Sequence, residues 1–269
     1  MKAGIATIAL RNYDIFTALD MAGQAGFAGV EIWGKPPHTP EGVDEDHTRR
    51  VRDRARSNGL EIPIFGSYAN PSWPEFEQKS DDAIKIATRL GAKIIRVWAG
   101  NKEPHEADEE LWGHVARSLR EFALRAELER LTLAMEMHAD TLCHTPEGAL
   151  RLLEMADAPN LYLNYQVGNF ASPDVDHDLA LIGDKVVMVH AQNFKPSCCE
   201  AGKMNRTLLR DGTVDYDKAL SLLAAHGFEG YVEVEFLPGE NVSEDALLES
   251  LKNDAAYLNE ITARHSVRP

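Results

Sequence analysis

Cysteine is scarce in this chain. Its three thiols, Cys143, Cys198 and Cys199, are too few and wrongly spaced for a disulfide framework or a CxxC zinc site. The adjacent Cys198-Cys199 pair leaves open metal ligation or a strained vicinal disulfide, but reads first as two reduced loop thiols of a cytoplasmic protein. Long apolar runs are also missing: no stretch approaches the roughly 20 residues that a membrane-spanning helix requires. The chain opens Met1-Lys2 and runs into a strand-like segment without a signal-peptide pattern, so the expected compartment is the cytoplasm. Basic charge is in deficit, with 28 Lys and Arg against 43 Asp and Glu and a formal net charge of −15. Nucleic acid and anionic membranes are therefore poor partners. The densest basic run, Arg49 to Arg56, is interrupted by Asp53 and reads as a solvated helix face. A Gly-rich phosphate turn is lacking as well, since Ala9-Leu10-Arg11-Asn12 follows the first apolar run where a GxGxxG would stand.

What is present is alternation. Apolar runs at 3–10, 29–33, 60–67, 93–98, 131–138, 160–166, 185–193 and 231–236 read as strands. Helical patterns follow them at 14–24, 45–57, 75–90, 105–129, from Thr145-Pro146 onward, at 175–183, 216–225 and 243–261. Strands alternating with helices imply parallel pairing through right-handed crossovers, and eight such units imply closure. No composition break or linker interrupts them. The expected architecture is one domain over residues 1–269, a single (β/α)₈ TIM barrel, with a hydrophobic content of 44% ample for its core.

Reactive groups of such barrels lie at the carboxyl ends of the strands, and residues two apart in a strand share a face. That arithmetic pairs Glu31 with Trp33, Arg96 with Trp98, Glu136 with His138, Asn164 with Gln166, His190 with Gln192 and Glu233 with Glu235. The intervening Ile32, Val97, Met137, Tyr165, Val189 and Val234 suit packing against the outer helices. Six strands repeating this pattern predict a polar pocket at the C-terminal mouth. Glu136 and Glu235, with His190 and Gln166 between them in the chain, suit a divalent cation such as Mn²⁺, Mg²⁺, Co²⁺ or Zn²⁺. Such an ion polarises a carbonyl, and a carboxylate on either side of the substrate removes and returns the acidified proton. Trp33, Trp98, Tyr68 and Trp73 serve either as flat surfaces for sugar C–H faces or as core and lid packing. Arg206 and Arg210, in the loop after strand seven, serve either a substrate phosphate or carboxylate or surface salt bridges. His105, His114, His144, His177 and His226 have no acid at ligand spacing and read as surface or capping residues.

At these residues the sequence resembles the xylose isomerase-like barrel superfamily of sugar phosphate isomerases and epimerases. The resemblance rests on Gly26-Phe27-Ala28-Gly29-Val30-Glu31-Ile32-Trp33, Ala92-Lys93-Ile94-Ile95-Arg96-Val97, Glu136-Met137-His138 and Asn164-Tyr165-Gln166-Val167-Gly168-Asn169-Phe170. It continues in Val189-His190-Ala191-Gln192-Asn193-Phe194, Gly212-Thr213-Val214-Asp215-Tyr216 and Val232-Glu233-Val234-Glu235-Phe236. The resemblance implies one metal held at Glu136, Gln166, His190 and Glu235, with Glu136 and Glu235 also moving the proton. It implies a small carbohydrate substrate, touched by His138, Trp33, Arg96, Trp98, Gln192 and Arg206, and a homo-oligomer paired through loops at the mouth. The chain departs from the family pattern at Gln166, where the family has Asp, and at Gln192 and Asn193, where it often has Lys and Asp. The expected activity is an isomerase or epimerase of carbohydrate metabolism. The alternatives are a metal-independent enzyme of the hydroxypyruvate isomerase type and a sugar-binding barrel that has lost catalysis. The family also includes apurinic endonucleases, but the acidic charge and the absence of further His and Asp ligands speak against DNA repair.

Overall fold

The computed structural model describes residues 1–167, 174–198, 200, 202–239 and 242–266. Eight parallel strands close into a barrel in the order β1, β10, β7, β6, β5, β4, β3, β2. They are β1 (Lys2–Ala6), β2 (Gly29–Trp33), β3 (Glu61–Gly66), β4 (Ile94–Val97), β5 (Thr132–Glu136), β6 (Leu161–Gln166), β7 (Val186–Ala191) and β10 (Tyr231–Val234). Between β7 and β10 lies an antiparallel hairpin, β8 (Asn193–Pro196) and β9 (Met204–Thr207), which pairs Phe194 with Arg206. Among the described residues, eight α-helices clothe the barrel: α1 (Ile15–Ala25), α2 (Glu45–Ser57), α3 (Phe76–Leu90), α4 (Glu109–Leu128), α5 (Pro146–Ala156), α6 (Val175–Ile182), α7 (Tyr216–Ala225) and α8 (Glu244–His265). The single (β/α)₈ barrel expected from the alternation is the fold.

Local chemistry sets the boundaries. Asp14 caps α1 by accepting from the amides of Phe16 and Thr17, and Gly26 ends it at φ 89°, a left-handed position that costs glycine little. Thr145 caps α5, whose first residue is Pro146, as the sequence indicated. Three expectations need correction. The first strand stops at Ala6, and Thr7–Leu10 forms a 3₁₀ turn. There the Thr7 hydroxyl accepts from the Trp33 amide at 2.9 Å in place of a backbone carbonyl. The fifth strand stops at Glu136, so His138 stands beyond the ladder. The stretch after β7, expected to be a plain loop, contains the β8–β9 hairpin. No helix among the described residues is long and apolar enough to cross a membrane.

Two layers fill the barrel interior. Ile64, Ala134, Met188 and Tyr231 make a compact apolar plug. Two residues further along four of the strands, on the same face, stand Gly66, Glu136, His190 and Glu233. Outside, the predicted packing positions Ile32, Val97, Met137, Tyr165, Val189 and Val234 are all buried against the helices. The plug closes the amino-terminal end, leaving the polar layer accessible only from the carboxyl ends of the strands.

Candidate active site

That polar layer is an ion-pair network. Glu31, Arg96, Glu136, His190, Glu233 and Glu235 are each at most 6% exposed. Arg96 sits at its centre: Nε donates to Glu31 Oε1 at 3.0 Å and Nη1 to Glu136 Oε2 at 2.5 Å. The other Glu31 oxygen meets His190 Nε2 at 2.6 Å. Gly66 makes this possible, because a Cβ there would stand 1.9 Å from Glu31 Oε1. With Nε2 anchored on Glu31, His190 turns Nδ1 toward the mouth, 3.6 Å from both Glu136 Oε1 and Glu235 Oε1. Nδ1 is buried and has no hydrogen-bond partner among the described residues. Gln166 Nε2 donates to Glu136 Oε1 at 2.7 Å, and Gln192 Nε2 to Glu235 Oε2 at 3.2 Å.

The charges push these groups apart. Burial alone would raise Glu136, but the Arg96 guanidinium, helped by His190, outweighs it and holds the carboxyl down at about 2. Burial raises Glu235 to about 7 against the pull of His190, with Glu136 adding repulsion. Burial would lower His190, yet the Glu31 and Glu235 carboxylates raise it well above an ordinary imidazole. Burial raises Glu233 well above the carboxylate range, and the neighbouring Glu31 adds to this. Two carboxyls at one mouth thus differ widely in proton affinity, a separation typical of acid–base sites.

Above the network opens a cavity of about 360 Å³. Tyr68 and Trp98, stacked at 6.0 Å, form one wall, and His138 leans on Trp98 at 4.8 Å. The opposite wall is Phe194 and Phe236, both under the Arg206 guanidinium, 5.3 and 4.5 Å from their ring centres. Arg206 also donates to Gln192 Oε1 at 3.0 Å, so the β8–β9 hairpin closes one side of the mouth.

Of the residues singled out from the sequence, Glu136, Gln166, His190, Glu235, His138, Arg96, Trp98, Gln192 and Arg206 line this one cavity. Arg96 lines it as part of the floor, where two of its nitrogens are committed to Glu31 and Glu136. Trp33 does not line it; its indole donates to the Tyr68 hydroxyl at 2.8 Å and braces that wall from behind. Trp73 is likewise elsewhere, 42% exposed. Arg210 pairs with Glu260 at 2.8 Å and stacks on Tyr257 on the outer surface. Asn193 is a structural residue: it donates to the carbonyls of Leu209 and Val214 and accepts from the amides of Phe194 and Val214. Two histidines do have paired acids, because chain folding supplies partners about 30 to 40 residues away: His144 meets Glu103 at 2.8 Å and His177 meets Glu147 at 3.2 Å. Cys199 and the Gly168, Asn169 and Phe170 of the sixth-strand pattern lie outside the described residues. The alternation had placed Glu31 and Glu233 on the inner face, but only the neighbours across the barrel show that both belong to the charged floor.

A divalent cation fits the donors at the mouth. Glu136, His190 and Glu235 each offer one atom, all within 4.8 Å of one another, around the unpartnered Nδ1. The Gln166 carbonyl oxygen is a further donor of the hard kind such ions accept. The sequence pattern of the xylose isomerase-like TIM barrel family matches residues 19–254. A 3-dehydroshikimate dehydratase of Bacillus anthracis is 25% identical over 82% of this chain and 86% of its own length. An L-ribulose-5-phosphate 3-epimerase of Shigella boydii is 27% identical over 63% of this chain and 58% of its own. Among solved structures, a xylose isomerase-like barrel protein of Mycobacterium smegmatis in complex with magnesium superposes with a TM-score of 0.80. It is 16% identical, over 99% of this chain and 98% of that one. With more than four fifths of its length matched by the family pattern, this chain belongs to the xylose isomerase-like TIM barrel family.

Proposed function

We propose that the protein is an enzyme that abstracts a proton next to a carbonyl in a polyhydroxylated small molecule, a sugar, sugar phosphate or cyclic hydroxy-ketone. The convergence of Glu136, His190 and Glu235 around one unpartnered nitrogen carries this reading. A divalent cation held by Glu136, Gln166, His190 and Glu235 would supply Lewis-acid polarisation of the carbonyl. The chain's own groups do the rest. Glu136 and Glu235 reach the same mouth from different strands, each 3.6 Å from His190 Nδ1, so one takes the α-proton while the other stands ready to return one to the substrate. Arg96 keeps Glu136 ionised by direct pairing. Tyr68, Trp98, Phe194 and Phe236 shield the reacting carbon from water, and Arg206 with Gln192 engages an oxygen-rich end of the substrate.

The same first step serves two outcomes. Returning the proton gives isomerisation or epimerisation, while loss of a β-hydroxyl gives dehydration. The dehydratase relative matches more of this chain than the epimerase does, which favours elimination. The test is incubation of the Mn²⁺-loaded protein with 3-dehydroshikimate, inososes and ketopentose phosphates. We expect the ultraviolet absorbance of a conjugated product with a β-hydroxy-ketone, abolished by chelator and by Glu235→Gln. Clean epimerisation of a ketose without absorbance change would select the alternative outcome. No conversion of any member, with metal present, would contradict both.

A further inference from the structure

A second cavity, of about 330 Å³, lies between the loop after β2 and α3, and the chemistry at the mouth makes no use of it. One stripe of α3 lines it: Lys79, Asp82, Ala83, Ile86 and Arg89, at the i, i+3, i+4, i+7 and i+10 spacing of a single helical face. The facing loop, Gly34 to Val43, is anchored. Its His38 ring bonds to the Thr7 hydroxyl at 2.9 Å and the Tyr13 carbonyl at 3.1 Å, and the Thr39 hydroxyl donates to the Trp33 carbonyl at 2.8 Å. Phe65, Ala83 and Ile86 supply apolar surface, and Trp73, which takes no part in the mouth, adds an aromatic one.

The charge of this cavity runs against that of the chain. Six charged side chains line it, and four are basic: Lys35, Lys79, Lys85 and Arg89. The whole chain has 28 basic residues against 43 acidic. Lys85 meets Asp82 at 3.9 Å, but Lys35, Lys79 and Arg89 form no salt bridge among the described residues. The Lys35 ammonium lies over the Tyr68 ring instead, 3.7 Å from its centre. Burial, with the like charges of Arg96 and Lys79 added to it, holds this lysine below its ordinary range. An anion placed among the three cations would relieve that repulsion, and the apolar walls suit an anion with an apolar body.

We propose that this cavity is a binding site for a small organic anion, an aromatic ring bearing a phosphate or carboxylate. The ring packs against Trp73 and Ile86, and the anionic group sits among Lys35, Lys79 and Arg89. The volume lies near the lower end of small-molecule sites, which fits one ring with one anionic group rather than a dinucleotide. Tyr68 lines this cavity and the mouth alike, so the bound anion stands one ring away from the reacting substrate without touching it.

The experiment is titration calorimetry of the full chain with phenyl phosphate, alongside tryptophan fluorescence, with phenol and inorganic phosphate as comparison ligands. We expect one phenyl phosphate per chain, with phenol and inorganic phosphate each about tenfold weaker or more, since each lacks half of the recognition. The double variant Lys79→Gln, Arg89→Gln should weaken phenyl phosphate about tenfold or more. Arg206→Ala, which alters the mouth, should leave this binding unchanged. Trp73→Phe should remove most of the fluorescence change seen on binding to the wild type. Absence of saturable binding, or binding indifferent to the double variant, would overturn the site. Inorganic phosphate binding as tightly as phenyl phosphate would overturn the aromatic ligand class. Loss of binding in Arg206→Ala with retention in the double variant would place the anion at the mouth, overturning this site while leaving the proposed function intact. A fluorescence response unchanged in Trp73→Phe would tell against the site even where the double variant does not fold.

Discussion

Arg96 determines whether the floor of the barrel holds together. Its side chain is 4% exposed and bonded to two carboxylates, so removing it takes the guanidinium from both, leaving buried Glu31 with His190 and buried Glu136 with the Gln166 amide. Breaking one side of such a pair costs about 3–5 kcal/mol. Arg96→Met should therefore lower the unfolding free energy of the metal-free protein by that amount in a urea titration, and a change below ~1 kcal/mol would show that the network is not structural. Asp254 makes a separate, pH-dependent contribution. On α8 it accepts from the Leu209 amide at 2.8 Å, while its Oδ2 has no partner among the described residues. Burial raises it from 3.8 to about 7, so the folded state binds its proton more tightly than the unfolded state does. Its favourable contribution is complete below pH 3.8 and is lost as the pH rises through about 7. Asp254→Asn should remove that slope: wild type should lose stability relative to the variant between these limits and keep a constant gap above them. Parallel pH profiles of the two proteins would refute the assignment.

At the scale of elements, the β8–β9 hairpin distinguishes this mouth from a bare barrel rim. It brings Arg206 over Phe194 and onto Gln192, and Asn193 fixes its root through four hydrogen bonds. Arg206→Ala should raise KM about tenfold or more with a smaller effect on kcat, since it removes substrate contact rather than proton transfer. An equal fall in kcat at unchanged KM would instead place Arg206 in the chemistry. The barrel strands were readable because side chains of a strand alternate strictly between its faces, and that period alone brought Glu31, Arg96, Glu136, Gln166, His190 and Glu235 to one cavity. The hairpin was not, since Asn193 to Thr207 is polar and follows no period before the chain pairs with itself. Trp33 misled for a related reason: alternation assigns a face, but Trp33 closes β2, and its indole turns to Tyr68 rather than into the cavity. The pairing of Arg96 with Glu31 and Glu136, across 65 and 40 residues, belongs to tertiary structure and has no local signature.

For the whole molecule, fold and site are coupled through the metal. An ion bound only by the folded state stabilises it by about 2.7 kcal/mol at a hundredfold excess over Kd. For a barrel of this size each kcal/mol moves Tm by about 2–4 °C, so chelation should lower Tm by roughly 5–10 °C and Mn²⁺ should restore it. A Tm indifferent to chelator would show that the acidic floor folds without a cation. The formal net charge of −15 works against polyanionic partners, and the apolar plug confines access to one end. Everything in the proposed function therefore depends on Glu136 and Glu235 meeting one carbonyl compound at that mouth. The most direct test is proton nuclear magnetic resonance of the hydrogens next to the carbonyl in D₂O, with Mn²⁺-loaded protein presented with 3-dehydroshikimate, inososes and ketoses. One C–H of one substrate class should exchange with solvent or be lost with turnover, ~10²–10⁴-fold more slowly in Glu235→Gln. Absence of exchange across the panel, or exchange at the same rate in Glu235→Gln, would contradict the proposed function.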